Sequence, residues 1–137
     1  MNILSNLPKY LVVAILAGGV FIVFGKLTGG GDKTGGLTIT VPALSATARD
    51  GQKLFEANCM TCHGKNAAGS EQGPPLINNI YRPNHHADQS FVLAALRGVR
   101  AHHWQFGNMP PQPQVNETQM LKIVRYVREL QRANGIN

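Results

Sequence analysis

Both cysteines of this 137-residue chain lie in one short motif, CMTCH, which runs from Cys59 to His63. A disulfide between Cys59 and Cys62 would close a very small loop and would stabilise the fold little. A thioredoxin-like redox pair needs a strand–helix–strand setting, and no such pattern surrounds Cys59. A structural zinc site needs about four ligands, and the chain has no second cysteine pair. The motif therefore points to a different use of the two thiols.

The spacing C-x-x-C-H is the signature of covalent c-type haem attachment. On a helical turn, two thiols separated by two residues can each form a thioether with a vinyl group along one porphyrin edge. The adjacent His63 can then turn its ring under the iron. We expect one haem c, bound covalently through Cys59 and Cys62, with His63 as an axial ligand of the iron.

The iron would need a sixth ligand, or its second face would stay open. Met109 is the strongest candidate, because Pro110 and Pro111 restrict the backbone directly after it in the sequence FGNMPP. Met120 lies on the apolar face of a predicted helix, which favours core packing. His/Met ligation raises the reduction potential and suits electron transfer, whereas an open face would suit a sensor or an enzyme. The other candidate ligands are His85, His86, His102 and His103.

Three stretches have helical periodicity, at about 47–58, 89–97 and 117–132. Gly51 lies on the apolar face of the first helix. Glycine inside a helix costs about 1 kcal/mol, so a close helix–helix contact is expected there. Long loops separate the three helices, and so small a core needs something further to pack on. A haem would supply that apolar surface.

Capping residues mark the ends of these helices. Asp88 is predicted to cap the second helix, and Gly98 is predicted to end it. Asn116 and Gln119 form a capping box at the start of the third helix. The apolar face of the third helix is predicted to comprise Met120, Ile123, Val124, Val127 and Leu130. The basic residues of that helix are predicted to lie elsewhere, namely Lys122, Arg125, Arg128 and Arg132.

Residues 47–137 resemble a class I cytochrome c. The resemblance rests on the motif CMTCH, on the sequence GPPL at positions 73–76, and on Met109. It covers about two-thirds of the chain. It implies an all-α, small class I cytochrome c fold, with three main helices around one covalent haem.

The resemblance also implies specific contacts. The carbonyl of Pro74 would accept a hydrogen bond from Nδ1 of His63 and so orient the imidazole ring. Gly51 and Phe55 of the first helix would cross against Tyr126 of the last helix. We therefore assign Pro74 to the residues that bind the cofactor.

The N-terminal part of the chain differs in character. Lys9 and Lys26 enclose an uncharged apolar stretch, which at about 1.5 Å per residue would span roughly 24 Å as a helix. We interpret residues 1–26 as an uncleaved transmembrane anchor, residues 27–46 as a Gly-rich tether and residues 47–137 as the cytochrome domain. A cleaved secretory signal is the alternative. In either case the domain is exported.

Charge and composition limit the partners. The net charge is +6, from 13 basic and 7 acidic residues without a basic run. A nucleic-acid surface would need clustered charges. An acidic protein partner or an anionic membrane surface fits this charge distribution better.

Together with the resemblance, these features predict an electron carrier without bond chemistry of its own. Its haem domain would lie on the periplasmic, outer face of a bacterial cytoplasmic membrane. It would shuttle electrons between respiratory or photosynthetic complexes. The regular sequence LTITVPALSA, at 37–46, supports an alternative, a fixed cytochrome subunit of a larger membrane oxidoreductase. A haem sensor or small haem enzyme is a further alternative, and it requires that Met109 does not bind iron.

The loops contain two histidine pairs, His85-His86 and His102-His103, with Trp104 beside the second. We predict that Trp104 or a neighbouring side chain donates a hydrogen bond to a haem propionate, because an indole N–H needs an acceptor. A second metal site, such as a copper site, is less favoured, because adjacent rings rarely face the same ion.

Three further polar residues are candidates for the site. Arg97 and Arg100 are candidates for contacts with the propionates or with a partner. Asn108, just before Met109, is a candidate donor near the axial sulfur.

Overall fold

The computed structural model describes residues 38–137. The anchor predicted at 1–26 and most of the tether predicted at 27–46 lie outside the described residues, so these boundaries stay predictions. Among the described residues, no helix combines the length and the apolar character needed to cross a membrane.

Residues 38–137 form a helical domain that contains no β-strand. The α-helices are α1 (Ala46–Asn58), α2 (Met60–His63), α3 (Asp88–Arg97) and α4 (Glu117–Ala133), and single 3₁₀ turns cover Lys65–Ala67 and Asn79–Tyr81. The three long helices α1, α3 and α4 correspond to the three predicted helices. The hydrophobic core lies where α1 and α3 pack against α4.

Helices α1 and α4 cross at Gly51. A methyl group at this position would overlap the carbonyl oxygen of Lys122, so only glycine allows the two backbones to approach so closely. One turn further along α1, the rings of Phe55 and Tyr126 pack at a centroid distance of 5.6 Å. Both contacts agree with the sequence-based expectation.

The start of α4 follows from local sequence. The Asn116 side chain accepts a hydrogen bond from the Gln119 amide at 2.9 Å, and the Gln119 side chain accepts one from the Asn116 amide at 3.0 Å. The predicted capping box is therefore confirmed. The predicted apolar face is also confirmed, because its residues are all buried, namely Met120, Ile123, Val124, Val127 and Leu130.

The prediction that Arg128 lies away from the buried face of α4 is wrong. This residue is only 5% exposed. Its guanidinium donates hydrogen bonds to the Asp88 carboxylate at 2.7 Å, to the Tyr81 carbonyl at 2.6 Å and to the His86 carbonyl. It also lies 4.8 Å from the centre of the Phe91 ring. Burial is tolerated because the charge is paired and its donors have acceptors.

The cap predicted for α3 is also wrong. The residue before the helix is Ala87, which has no capping side chain, and Asp88 is the first residue of the helix. The Asp88 carboxylate pairs with Arg128 instead. The predicted end of α3 at Gly98 is confirmed, with φ of 75° at that residue.

Residues 38–45, the last part of the segment assigned to the tether, lie against the helical domain. The Thr40 amide donates to the Asn134 side chain at 2.9 Å, and the Asn134 side chain donates back to the Thr40 carbonyl at 2.8 Å. Ile39 and Leu44 pack against the core. This extended segment therefore docks on the end of α4 within the same chain.

A second contact joins this segment to the C-terminal half of α4. The Ser45 amide and hydroxyl donate to the two carboxylate oxygens of Glu129 at 2.9 and 2.7 Å. Burial would raise the pKa of Glu129, but the two bonds from Ser45 and the contact with Arg125 outweigh it and leave this pKa below its ordinary value. The same Ser45 hydroxyl caps α1 by accepting from the Ala48 amide.

Candidate functional site

The CMTCH motif forms a helical turn directly after α1. Cys59 joins α1 to α2, and its carbonyl accepts hydrogen bonds from the amides of Cys62 at 3.2 Å and His63 at 2.9 Å. Both thiols are free. Gly64 ends the turn with φ of 72°. The motif therefore has the local conformation expected from its spacing.

The loop after the motif folds back on it. The His63 carbonyl accepts from the Gly69 amide at 2.7 Å, and the Ser70 hydroxyl donates to the Cys62 carbonyl at 2.6 Å. This return brings Pro74 beside the imidazole ring. Its carbonyl oxygen lies 3.0 Å from Nδ1 of His63, the contact implied by the sequence resemblance.

The Pro74 contact determines which nitrogen of His63 is available. When Nδ1 donates its proton to the carbonyl, the lone pair of the neutral ring is on Nε2. Burial lowers the pKa of His63, and the bond to Pro74 opposes this effect in part. A neutral imidazole with a free Nε2 lone pair is the form that can bind a metal.

The thiol chemistry does not favour a dithiol redox pair. The pKa of Cys59 is raised to about 11, first by burial and second by the nearby charge of Cys62. Reactive thiols have a lowered pKa, because the thiolate is the nucleophile. Cys59 instead presents a protonated, partly buried sulfur.

A cavity of about 480 Å³ lies next to this turn. This volume is within the range of roughly 300–1,000 Å³ that is common for small-molecule and cofactor sites. The cavity brings together five of the predicted site residues, Cys59, His63, Pro74, Trp104 and Met109. Much of the remaining lining is apolar and includes Phe55, Leu76, Phe91, Val99, Ile123 and Val127.

Cys62 is the predicted site residue that does not line the cavity. It is exposed, and its sulfur lies 3.9 Å from the side-chain oxygen of Gln72. The two thiols of the motif therefore differ in environment, with Cys59 at the cavity and Cys62 toward solvent.

Met109 is positioned by a backbone bridge that sequence reasoning missed. Val99 and Met109 exchange two hydrogen bonds, at 2.9 and 3.0 Å, as an isolated antiparallel bridge. Gly98 allows this approach, because a methyl group there would lie 2.7 Å from the Met109 carbonyl oxygen. The FGNMPP loop is thus held against the end of α3. No alternation of apolar residues near Val99 signals this bridge.

Trp104 is half-buried and donates its indole N–H to the Tyr81 hydroxyl at 3.1 Å. Its predicted donation to a propionate is not tested and stays a prediction. Tyr81 also lines the cavity, although sequence reasoning did not single it out. Burial raises the pKa of Tyr81, and the hydrogen bond from Trp104 opposes this effect.

The other candidate residues have different surroundings. Arg97 is exposed and lines the cavity, and Arg100 is exposed. The Asn108 side-chain oxygen accepts from the Ala101 amide at 2.9 Å, which braces the loop before Met109. Met120 is only 5% exposed and belongs to the core, as the sequence favoured.

The residues around the cavity fit a covalently bound haem. The cavity combines apolar walls with an oriented imidazole, a thioether residue and one of the two thiols of a C-x-x-C-H turn. These are the donor types that hold haem in c-type cytochromes with His/Met ligation. The second thiol lies on the same helical turn.

Comparison with known proteins agrees with this chemistry. A family model described as cytochrome c matches residues 48–131. The chain is also similar to the Cbb3-type cytochrome c oxidase subunit CcoP of Rhodobacter capsulatus. These two chains are 33% identical over 92 residues, which cover 65% of this chain and 31% of the relative. The similarity thus spans about a third of the relative's length. No solved structure matches the chain.

The family match covers more than half of the chain and includes the CMTCH turn, the Pro74 loop and Met109. The resemblance to a class I c-type cytochrome is therefore confirmed, and the chain belongs to the cytochrome c family.

Proposed function

We propose that the protein is a monohaem electron carrier, in which Cys59 and Cys62 hold one haem c covalently. His63 and Met109 would be the two protein ligands of its iron. When bound, the haem supplies a one-electron Fe(III)/Fe(II) couple. The chain needs no further catalytic group for this task.

One observation carries this proposal. His63 and Met109, which come from different segments of the chain, line the same cavity, and the imidazole has its Nδ1 engaged by Pro74. The Pro74 carbonyl orients the ring and sets its tautomer. The bridge between Val99 and Met109 holds the loop whose Met109 sulfur would bind the iron.

The other lining residues contribute to the redox function by excluding water. Apolar side chains such as Phe55, Leu76 and Val127 surround the cavity. A less polar environment disfavours the more highly charged oxidised state and raises the reduction potential.

The proposal is tested with the purified holoprotein. A haem assay should find one covalently bound haem per chain, and the oxidised protein should show the charge-transfer band of a Met–Fe bond. Met109→Ala should abolish this band and lower the reduction potential, because it removes the thioether ligand. Met120→Leu is the matched control and should keep the band. A wild-type protein without the band would overturn the His/Met proposal and favour a sensor or a haem enzyme.

We infer the membrane attachment from the sequence of residues 1–26. In this proposal the segment stays uncleaved, and the haem domain faces the periplasm on a bacterial cytoplasmic membrane. Mass spectrometry of the protein extracted in mild detergent tests it. A chain that begins at Met1 or Asn2 supports the anchor, whereas a chain that begins after residue 26 contradicts it.

The partners proposed for the carrier are membrane respiratory or photosynthetic complexes. A second candidate function is that of a fixed subunit in one such oxidoreductase. It is supported by the similarity to a chain described as a subunit of a cytochrome c oxidase. It is also supported by the docking of residues 38–45, which belong to the predicted tether, on α4 of the same chain.

A native gel of mild-detergent membrane extracts, stained for haem, separates the two candidates. A shuttle should migrate alone. A fixed subunit should migrate with larger subunits in constant stoichiometry, and their identity would name the reaction.

A further inference from the structure

The two histidine pairs meet in the folded domain, although a loop and helix α3 separate them in sequence. The ring of His103 lies 5.5 Å from that of His85 and 5.3 Å from that of His86, measured between centroids. The rings of His85 and His86 are 4.7 Å apart. One ring nitrogen from each of the three residues lies within 4.8 Å of the others.

Both imidazoles of the first pair approach the Ile80 carbonyl. Its oxygen lies 2.7 Å from Nδ1 of both His85 and His86, and these two nitrogens are 3.0 Å apart. A carbonyl oxygen has two lone pairs, so both Nδ1–H groups can donate to it. In that form each ring has its lone pair on Nε2, which is then available to a metal ion.

The backbone holds the first histidine pair in place. The Arg82 carbonyl accepts from the amides of His85 at 3.0 Å and His86 at 2.8 Å, which makes a tight turn. The buried Arg128 donates to the His86 carbonyl and ties this turn to α4. The backbone that carries the side chains of His85 and His86 is therefore held in place.

The second pair is held by its own loop. Nδ1 of His102 lies 2.8 Å from the Arg100 carbonyl, and the Asn108 side chain accepts from the Ala101 amide. His102 stacks beside His86 at a centroid distance of 6.3 Å but is not one of the three converging residues. His103 is the member of this pair whose ring nitrogen converges with those of His85 and His86.

The protonation state of His103 suits metal binding. The pKa of His103 is lowered, first by desolvation and then by the charges of His102, His86 and His85. Close imidazoles disfavour each other's protonation. Neutral imidazole is the form that coordinates metal ions, and the lowered pKa of His103 favours this form of its ring.

We propose that His85, His86 and His103 form a binding site for a divalent transition-metal ion, Cu(II) or Zn(II), at the rim of the haem cavity. His86 and His103 both line that cavity. Imidazole ligands favour copper and zinc, whereas magnesium and calcium prefer oxygen ligands. The proposal does not depend on the haem ligands, because none of the three residues is assigned to the iron.

The geometry needs only a small adjustment. Metal–nitrogen bonds of about 2.0–2.1 Å in a tetrahedral site place ligand nitrogens roughly 3.3 Å apart. The three nitrogens are already within 4.8 Å, and the rings of His85 and His103 are exposed and can rotate. Three histidines leave a fourth position for water or a further ligand.

The experiment uses the untagged, haem-loaded full chain in detergent, dialysed against Cu(II) or Zn(II), with bound metal measured per haem. We expect one ion per chain. His85→Asn and His103→Asn should each weaken binding at least tenfold. His102→Asn is the matched control and should change binding less than threefold. The Cu(II) protein should show nitrogen hyperfine splitting in its electron paramagnetic resonance spectrum.

Several outcomes would overturn the proposal. One is the absence of metal uptake, as expected if these histidines serve only as donors to the haem propionates. Another is binding that both His85→Asn and His103→Asn leave unchanged, as expected for a site elsewhere. A third is that the added metal changes the Met–Fe charge-transfer band of the haem. Circular dichroism of each variant shows that a loss of binding does not arise from unfolding.

Discussion

Gly98 packs directly against the backbone of Met109. A methyl group at position 98 would lie only 2.7 Å from the Met109 carbonyl oxygen. Gly98 also has a positive φ of 75°, which residues with a side chain rarely adopt. The residue that ends α3 thus decides how closely the loop with the proposed iron ligand can approach.

Gly98→Ala should therefore weaken the Met–Fe bond. We expect the charge-transfer band of the oxidised protein to diminish and to disappear at a lower temperature than in the wild type. Gly107→Ala is the matched control. Gly107 also has a positive φ, of 83°, but a methyl group there would meet no atom within 4 Å. An equal effect of both substitutions would show that backbone strain, and not the Met109 contact, is responsible.

Gly51→Ala should separate α1 from α4. The added methyl group would collide with the Lys122 carbonyl, which belongs to a helix backbone and cannot rotate away. Overpacking of this kind lowers the free energy of unfolding by about 2–3 kcal/mol. Denaturant titration of the holoprotein measures it. Lys53→Ala on the exposed side of α1 should stay within about 0.5 kcal/mol of the wild type, and an equal loss there would contradict the explanation.

Arg128→Met should lower stability by about 2–4 kcal/mol, because the carbonyls of Tyr81 and His86 lose a buried charged donor. Thermal unfolding followed by circular dichroism tests this. Asp88→Asn is the control. The Asp88 side chain is 62% exposed, and asparagine keeps an oxygen that can accept from the guanidinium, so this substitution should cost less than the loss of Arg128. Equal losses would mean that the ion pair, and not the carbonyl contacts, makes Arg128 important.

The docking of residues 38–45 should depend on pH through Glu129. Its folded pKa is below the ordinary value of 4.5, so its ionised form favours the folded state. This contribution is fully present above the pKa of the unfolded chain and is lost as the pH falls through the folded pKa. The stability difference between wild type and Glu129→Gln should be constant near neutral pH and shrink on acidification.

Hydrogen exchange at the Ser45 amide, which bonds to Glu129, gives a local readout of this docking. Exchange should become faster at acidic pH in the wild type, after correction for the intrinsic rate. Glu71→Gln, in an exposed loop, controls for the charge change. A stability difference that persists at low pH would contradict the role assigned to the Glu129 carboxylate.

Features that depend on neighbouring residues could be predicted from the sequence. The capping box of Asn116 and Gln119 and the end of α3 at Gly98 involve residues within one helical turn. The turn of CMTCH is equally local. The contact of Pro74 with His63 was expected only through the family resemblance, because no local rule relates these two positions.

Features that depend on distant residues could not be predicted in this way. The helical pattern predicts that Arg128 is a solvated charge. It is buried because the carbonyls of His86 and Tyr81, 42 and 47 positions away, accept hydrogen bonds from its guanidinium. No strand pattern in the sequence indicates the bridge between Val99 and Met109.

By itself, the sequence determined the three long helices, the start of α4, the end of α3 and the chemistry available at Cys59, Cys62, His63 and Met109, because side-chain type and short-range spacing decide these. Only the tertiary structure decided that Met109 shares a cavity with His63 and that His103 meets the pair at His85 and His86. The physical reason is that these contacts join residues far apart in the chain. They form only when the helices and loops pack against one another.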